Sequence, residues 1–325
     1  MTKDQVLAIL AREKEFVSGE RISEQIGVTR AAVSGAVKAL RKDGYEITSV
    51  TNRGYRLESG PDHLTAGSIG AFLPEARMGS VLVMEQVDST NKKLRELSYE
   101  GAPDGQVVIA DAQTGGRGRR GRSFYSPEGK GIYMSYLLRP DTAPAETVSL
   151  TAWTAVAVAR AMEKVSGRAP SIKWVNDLLL NGGKICGILT ELSVESETGM
   201  VDSIIIGIGV NVNQEQEEFP EEIQEIATSM AAALGHPVSR AALGAAMVAE
   251  LDRMRAEWPA ARADYLEAYR QLDITAGSDV MVLAADGARS AKALCINEDF
   301  SLEVEYPDGR KEALSSGEVS LRICR

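Results

Sequence analysis

Apolar positions near the start of the chain recur at helical spacing in three blocks. Val6, Leu7 and Leu10 make one face, Ile22 and Ile26 a second, and Val33, Ala36, Val37 and Leu40 a third. Ser18 or Gly19 interrupts the first block, Gly27 supplies a turn, and Thr29 stands where the N-cap of the third helix belongs. From Tyr45 to Val50 and from Gly54 to Leu57 the pattern becomes that of short strands, predicting a hairpin around Thr51-Asn52-Arg53-Gly54. Together these elements predict a winged helix-turn-helix over residues 1–60, with Gly60-Pro61-Asp62 as the linker that follows.

Residues 64–270 read as a second, mixed α/β domain. Strand-like runs occur at Val81–Met84, Val107–Ala110, Gly131–Leu138, Lys184–Glu191 and Ser203–Asn213. Ile172-Lys173-Trp174-Val175-Asn176-Asp177 is expected to be a strand delivering polar residues at its end, with Asn181-Gly182-Gly183 as the turn after it. Ser89 is placed to cap a helix over Thr90–Leu97, and residues 146–165 form a long apolar helix packed against the sheet. Two further helices are expected near 221–234 and 239–268. From 272 to 325 the pattern changes to strands at Asp279–Ala284, Ser290–Ile296, Ser301–Glu305 and Glu318–Ile323, with turns at Asp286-Gly287 and Asp308-Gly309. That spacing predicts a small SH3-like β-barrel. The fold class expected is therefore α+β, in three domains.

Charge separates the ends of the chain. The net charge is −10, yet residues 1–60 carry ten Lys/Arg against eight Asp/Glu, which leaves −12 on the remainder. A basic end on an acidic protein supports nucleic-acid binding there and nowhere else. Arg30, Ser34, Lys38 and Arg41 would face the major groove from the third helix, and Arg53 marks a basic wing tip; a helical protein-interaction module is the alternative. The first residues, with Lys3, Asp4 and Arg12, read as an amphipathic helix rather than a leader, and no apolar run is long enough for a bilayer. A cytoplasmic protein without a membrane partner is expected. Cys186, Cys295 and Cys324 are odd in number and far apart, which indicates neither a disulfide framework nor a zinc site. His63 and His236 are the only histidines, so catalytic schemes that need a histidine base lose their usual member.

The chemistry concentrates in Gly115-Gly116-Arg117-Gly118-Arg119-Arg120-Gly121-Arg122. Four arginines cannot be core, and four glycines disfavour a helix while allowing the backbone close to a ligand. Guanidinium forks suit phosphate and carboxylate, so a mobile loop closing over an anion is expected, with a solvated basic tract as the alternative. The dinucleotide fingerprint is excluded, because Ser123-Phe124-Tyr125-Ser126-Pro127 follows where a helix should open. Lys184 opens an apolar strand and either aims at an anion or is an ordinary edge lysine. The Asn181-Gly182-Gly183 turn is no P-loop, since Leu178 replaces its first glycine and Ile185 its Ser/Thr.

Ser89-Thr90-Asn91, the arginine-glycine loop, Lys173-Trp174-Val175-Asn176-Asp177 and Gly183-Lys184-Ile185-Cys186-Gly187-Ile188-Leu189 resemble the motifs of biotin protein ligases. The whole chain resembles the bifunctional bacterial form, which also represses the biotin operon. The resemblance implies a class II synthetase-like central domain, ATP and Mg²⁺ as cofactors, and biotin as substrate. It implies a biotin site of Ser89, Thr90, Asn91, Gln113, Arg117, Gly118, Arg119 and Lys184. It implies an ATP and adenylate site of Gly116, Arg119, Arg120, Arg122, Phe124, Asn176 and Asn211, with Lys184, Arg119 and Asp177 catalytic and no protein-built metal site. The implied partners are the biotin carboxyl carrier protein of acetyl-CoA carboxylase, operator DNA and a second copy of the chain. Val175 stands where many members have proline, and Phe124 where some have a tryptophan against the adenine. A biotin sensor without ligase activity and a ligase for lipoate or another carboxylic acid are the competing functions.

Overall fold

The computed structural model describes residues 2–13, 15–284, 287–315 and 318–321. Helices α1 (Thr2–Arg12), α2 (Gly19–Ile26) and α3 (Arg30–Lys42) precede a hairpin of β1 (Glu46–Val50) and β2 (Gly54–Ser59). Ser18 and Thr29 cap α2 and α3 by accepting from the N–H groups of Arg21 and Ala32. Gly27 takes φ 68° at the end of α2, a conformation glycine adopts without strain. The inward positions Val6, Leu10, Ile22, Val33, Val37 and Leu40 meet Ile47 in one small core.

This unit sits closely on the rest of the chain. A Cβ on Gly67 of α4 (Ala66–Gly70) would lie 2.7 Å from Asp4 O, so only a glycine lets α1 pack there. Arg12 reaches past α1 to the carbonyls of Gly70, Ala71 and Leu73, satisfying the open end of α4.

The central sheet has seven strands in the order β3-β4-β5-β9-β8-β7-β6: β3 (Val81–Val87), β4 (Val107–Gln113), β5 (Gly131–Leu138), β6 (Ser171–Lys173), β7 (Asp177–Leu180), β8 (Gly183–Val194) and β9 (Val201–Asn211). Only β3 and β4 are parallel, joined across α5 (Thr90–Tyr99). Helix α6 (Leu150–Ser166) is buried along most of its length against the sheet and ends at Gly167 in a left-handed turn. The short helix α7 (Met230–Leu234) and then α8 (Arg240–Glu257) and α9 (Arg262–Leu272) follow.

Several expectations need correction. The helix placed near 221–234 is a 3₁₀ turn at Glu221–Ile223 and the five residues of α7. The helix placed at 239–268 is two helices, because Pro259 has no N–H to continue the ladder. Lys173 to Asp177 is not one strand: β6 ends at Lys173, the chain turns, and Asp177 opens β7.

The C-terminal strands form a five-stranded antiparallel sheet, β13-β12-β11-β10-β14, from β10 (Asp279–Ala284), β11 (Gly287–Ile296), β12 (Leu302–Glu305), β13 (Lys311–Leu314) and β14 (Glu318–Leu321). The pattern alone predicts no strand at Lys311–Leu314, where Lys-Glu-Ala-Leu alternates too briefly, yet β13 forms there. Asp286 and residues 322–325, which include Cys324, lie outside the described residues. The buried faces of these strands continue the central core, with Phe300 against Trp153 and Tyr269.

Candidate active site

A cavity of about 210 Å³ opens where α5, the arginine-glycine loop, β8 and β9 converge. Its polar end is set by the first residues of α5. Ser89 is the N-cap by backbone conformation, but its hydroxyl makes no capping bond, contrary to expectation; the Ser89 N–H donates instead to Asp88 Oδ1 at 2.7 Å. The Thr90 N–H donates to Gln113 Oε1 at 2.9 Å, and Gln113 Nε2 donates to Ser126 Oγ at 3.0 Å. Beneath them, Ser135 Oγ lies 2.8 Å from Thr90 Oγ1 and 2.6 Å from Asn91 Oδ1. Thr90, Asn91, Gln113 and Ser135 thus form one hydrogen-bonded network at this end, which suits a small polar ligand head.

The other end is cationic. The loop turns through a short 3₁₀ segment, Arg119–Gly121, in which Arg120 takes φ 55°, an uncommon left-handed value for a residue with a side chain. The loop is closed by Gly118 N–H to Arg122 O at 2.7 Å and by Phe124 N–H to Gly116 O at 2.9 Å. Arg119 donates to Asn176 Oδ1 at 2.9 Å, and Asn176 Nδ2 in turn donates to Ile188 O at 3.1 Å. Arg120 donates to Leu283 O of β10 at 2.9 Å, so the C-terminal sheet touches this loop.

Lys184 reaches the cavity because β8 is bulged. Leu178 pairs with Cys186 but Leu179 pairs with Lys184, which leaves Ile185 as the extra residue. Regular alternation would have put Lys184 on the same face as buried Cys186; the bulge turns it beside Gly187, where Nζ pairs with Asp177 Oδ1 at 2.7 Å. Burial holds the Cys186 thiol far above its ordinary value, which removes it as a nucleophile.

Most of the sequence-derived site residues line this one cavity: Ser89, Thr90, Asn91, Gln113, Arg117, Gly118, Arg119, Arg120, Arg122, Phe124, Asn176, Asp177, Lys184 and Asn211. Gly116 does not. It is buried behind the wall, where a Cβ would meet Phe124 O at 2.5 Å, so it shapes the loop from outside the cavity. Sequence reasoning missed Ser135, Ser126 and Glu191, which hold the lining residues; Gly209, on a strand whose glycines permit close backbone approach, forms with Gly187 the floor under Phe124. An isolated serine or glutamate in a strand carries no local signal of such a role. Among the described residues no three His, Cys, Asp or Glu side chains gather as a metal site.

On the winged helix the side chains divide. Arg41 is exposed, and its guanidinium donates to Ile47 O at 3.0 Å and to Ser49 Oγ, bracing β1. Arg30 pairs with Glu20 at 2.6 Å, and Arg53 stacks on the Phe16 ring at 4.5 Å. Ser34 and Lys38 remain on the helix surface. Among the described residues no helix is long and apolar enough to cross a membrane.

A helix-turn-helix unit joined to a sheet whose cavity pairs a polar pocket with a cationic end defines a class: a DNA-binding unit fused to a carboxylic-acid ligase. The chain matches the Biotin/lipoate A/B protein ligase family over residues 83–211 and an HTH domain over residues 2–56. It is 37% identical over 318 residues to the bifunctional ligase/repressor BirA of Bacillus spizizenii, spanning 97% of both chains. It is 32% identical over 319 residues to the protein of that name in Escherichia coli, covering 98% of this chain and 96% of that one. The fold resembles the biotin protein ligase from Aquifex aeolicus in complex with biotin and ATP, with a TM-score of 0.64 and 29% identity over 75% of this chain and 98% of that one. The chain belongs to the bifunctional biotin ligase/repressor family.

Proposed function

We propose that the protein is an ATP-dependent biotin protein ligase that also represses transcription in response to biotin. The observation that carries this reading is the single cavity holding the Ser89–Asn91 pocket at one end and Lys184 with the loop arginines at the other. In the first step a biotin carboxylate oxygen attacks the α-phosphorus of ATP, forming biotinyl-adenylate as pyrophosphate leaves. The attacking group is the substrate's own, so no covalent nucleophile is needed, in keeping with the inert Cys186. Catalysis is then positioning and charge stabilisation. Lys184 would span the biotin carboxylate and the α-phosphate, exchanging its Asp177 partner for them, while Arg119 and Arg122 hold phosphate oxygens. In the second step a lysine amine of the biotin carboxyl carrier protein of acetyl-CoA carboxylase attacks the acyl carbon. An amide forms, AMP leaves, and the amine's proton is released.

The residues fit magnesium in one manner. Asp177 is the carboxylate lining the cationic end, so Mg²⁺ would be held by phosphate oxygens, water and at most this one side chain. It would offset charge on the pyrophosphate. We further read the chain as three domains, 1–60, 64–270 and 272–325, the second class II synthetase-like and the third an SH3-like barrel. Ser34 and Lys38 would contact DNA directly, with Arg30 and Arg53 reaching phosphates after leaving Glu20 and Phe16. A homodimer formed on adenylate binding would place two winged helices on a palindromic operator, in a cytoplasmic setting.

The test is ATP-dependent transfer of biotin onto a purified carrier domain, with lipoate run alongside. Transfer of biotin alone is expected. Tight biotin binding without transfer would instead mean a sensor, and transfer of lipoate a different acid specificity.

A further inference from the structure

A carboxylate outside the cavity dictates the order of protons beneath it. Asn91 Nδ2 donates to Glu191 Oε2 at 2.7 Å, and Arg95 pairs with Glu191 Oε1 at 2.9 Å. An ionised carboxylate only accepts, so the Asn91 amide nitrogen must face Glu191 and its carbonyl Oδ1 must face inward. The amide has no room to move away, since a Cβ on Gly207 would already lie 2.3 Å from Asn91 Oδ1. That oxygen is 2.6 Å from Ser135 Oγ and carries no hydrogen, so it claims the single Ser135 proton. The Ser135 and Thr90 hydroxyls lie 2.8 Å apart, and either could donate on distance alone. With the Ser135 proton committed to Asn91, Thr90 donates to Ser135. The other acceptor in reach of Thr90, Gln113 Oε1, is further at 3.2 Å and already takes the Thr90 N–H. Thr90 Oγ1 is left as a pure acceptor at the cavity wall.

We infer that Glu191 is a specificity-determining positioning residue: through Asn91 and Ser135 it makes Thr90 accept an N–H from the cyclic urea of biotin and refuse a ligand that presents an acceptor there. The inference rests on reading this cavity as the biotin pocket. Glu191 itself touches no ligand. A carboxylate is required because a glutamine could donate to a flipped Asn91, reversing every bond in the chain.

The experiment measures equilibrium binding by the full-length protein of biotin and of the two carbamate analogues in which oxygen replaces one or the other ureido N–H. Glu191→Gln is expected to weaken biotin binding by about tenfold. The preference for biotin over one carbamate should collapse with it, while kcat at saturating biotin stays within about twofold. Ser135→Ala cuts the same chain at a different point and should erode the same preference, and the double variant should add little. An unchanged biotin-to-carbamate ratio in both single variants would overturn the inference. Thr90→Val separates the two readings: if biotin affinity survives it, biotin binds elsewhere, whereas its loss alongside an indifferent Glu191→Gln rejects only the role of Glu191.

Discussion

A Cβ on Gly209 would lie 2.5 Å from Cε1 of Phe124, so the phenyl ring rests directly on bare backbone of β9. Gly187 stands opposite Gly209 in the β8–β9 register, and a Cβ there would be 3.4 Å from Cε2 of the same ring. Two glycines facing across neighbouring strands thus make a flat floor for the Phe124 ring.

Gly209→Ala should lift that ring. Overpacking of this kind costs about 1–3 kcal/mol, and the loop can relieve it by moving Phe124 outward. We expect a higher KM for ATP with little change in melting temperature. A melting point that falls while the KM for ATP holds would mean the ring has no part in the nucleotide site.

Lys184→Ala should abolish most adenylation while biotin still binds. Losing a fixed cationic donor at a phosphoryl-transfer site lowers kcat by about 10²–10³-fold. Pyrophosphate release at saturating biotin and ATP reads this, and release at the wild-type rate would remove Lys184 from the mechanism.

Arg240 is only 1% exposed, yet it joins three parts of the chain. It donates to Asp62 of the linker at 2.8 Å, to Asp111 of β4, and to Gly131 O at 3.2 Å. Arg240→Ala strands two carboxylates, one of them mostly buried, and should cost about 3–5 kcal/mol in urea unfolding. Asp62→Ala, at the more exposed end, should cost less.

Asp273 lies partly buried beside the strand that leads to Trp174, and that burial raises its carboxyl above the usual value against hydrogen bonds from Ala276 and Thr275. An acid with a raised folded-state value binds its proton more tightly when folded. Its contribution is therefore favourable below the ordinary aspartate range and is lost as pH rises through the raised value. Asp273→Asn keeps an acceptor for the Ala276 N–H, and should flatten the fall in stability across that interval. Unfolding midpoints taken as a function of pH check the slope.

On DNA, Lys38→Ala should weaken binding evenly across sequences and reduce the salt slope by about 1 if it contacts a phosphate. Arg41→Ala should act differently, loosening the hairpin it braces through Ile47 and Ser49, with a loss of stability in the winged helix itself. Salt-dependent operator binding and thermal unfolding together separate the two.

Much was legible in the residues because it depends on neighbours along the chain. Thr29 caps α3 as its position implied, since a cap needs only the next three residues. The arginine-glycine run could be neither core nor long helix on composition alone, and its place in a loop follows. Local pattern misled where an alternative partner was available. The Ser89 hydroxyl makes no capping bond. Arg41 is exposed as a groove residue would be, but the carbonyl of Ile47 on the folded hairpin engages its guanidinium.

What only the tertiary structure decided is direction. Lys184 faces the cavity because an extra residue at Ile185 changes the side on which it emerges, and that depends on pairing with β7. Arg240 becomes a buried hub because Asp62 and Asp111, distant along the chain, converge on it. Trp174 is held at 2.9 Å by Phe300 O, a carbonyl from the turn between β11 and β12. The sequence determined which chemical groups were present and the elements that carry them; the long-range register decided which groups meet, because strand pairing and burial act between residues that share no local pattern.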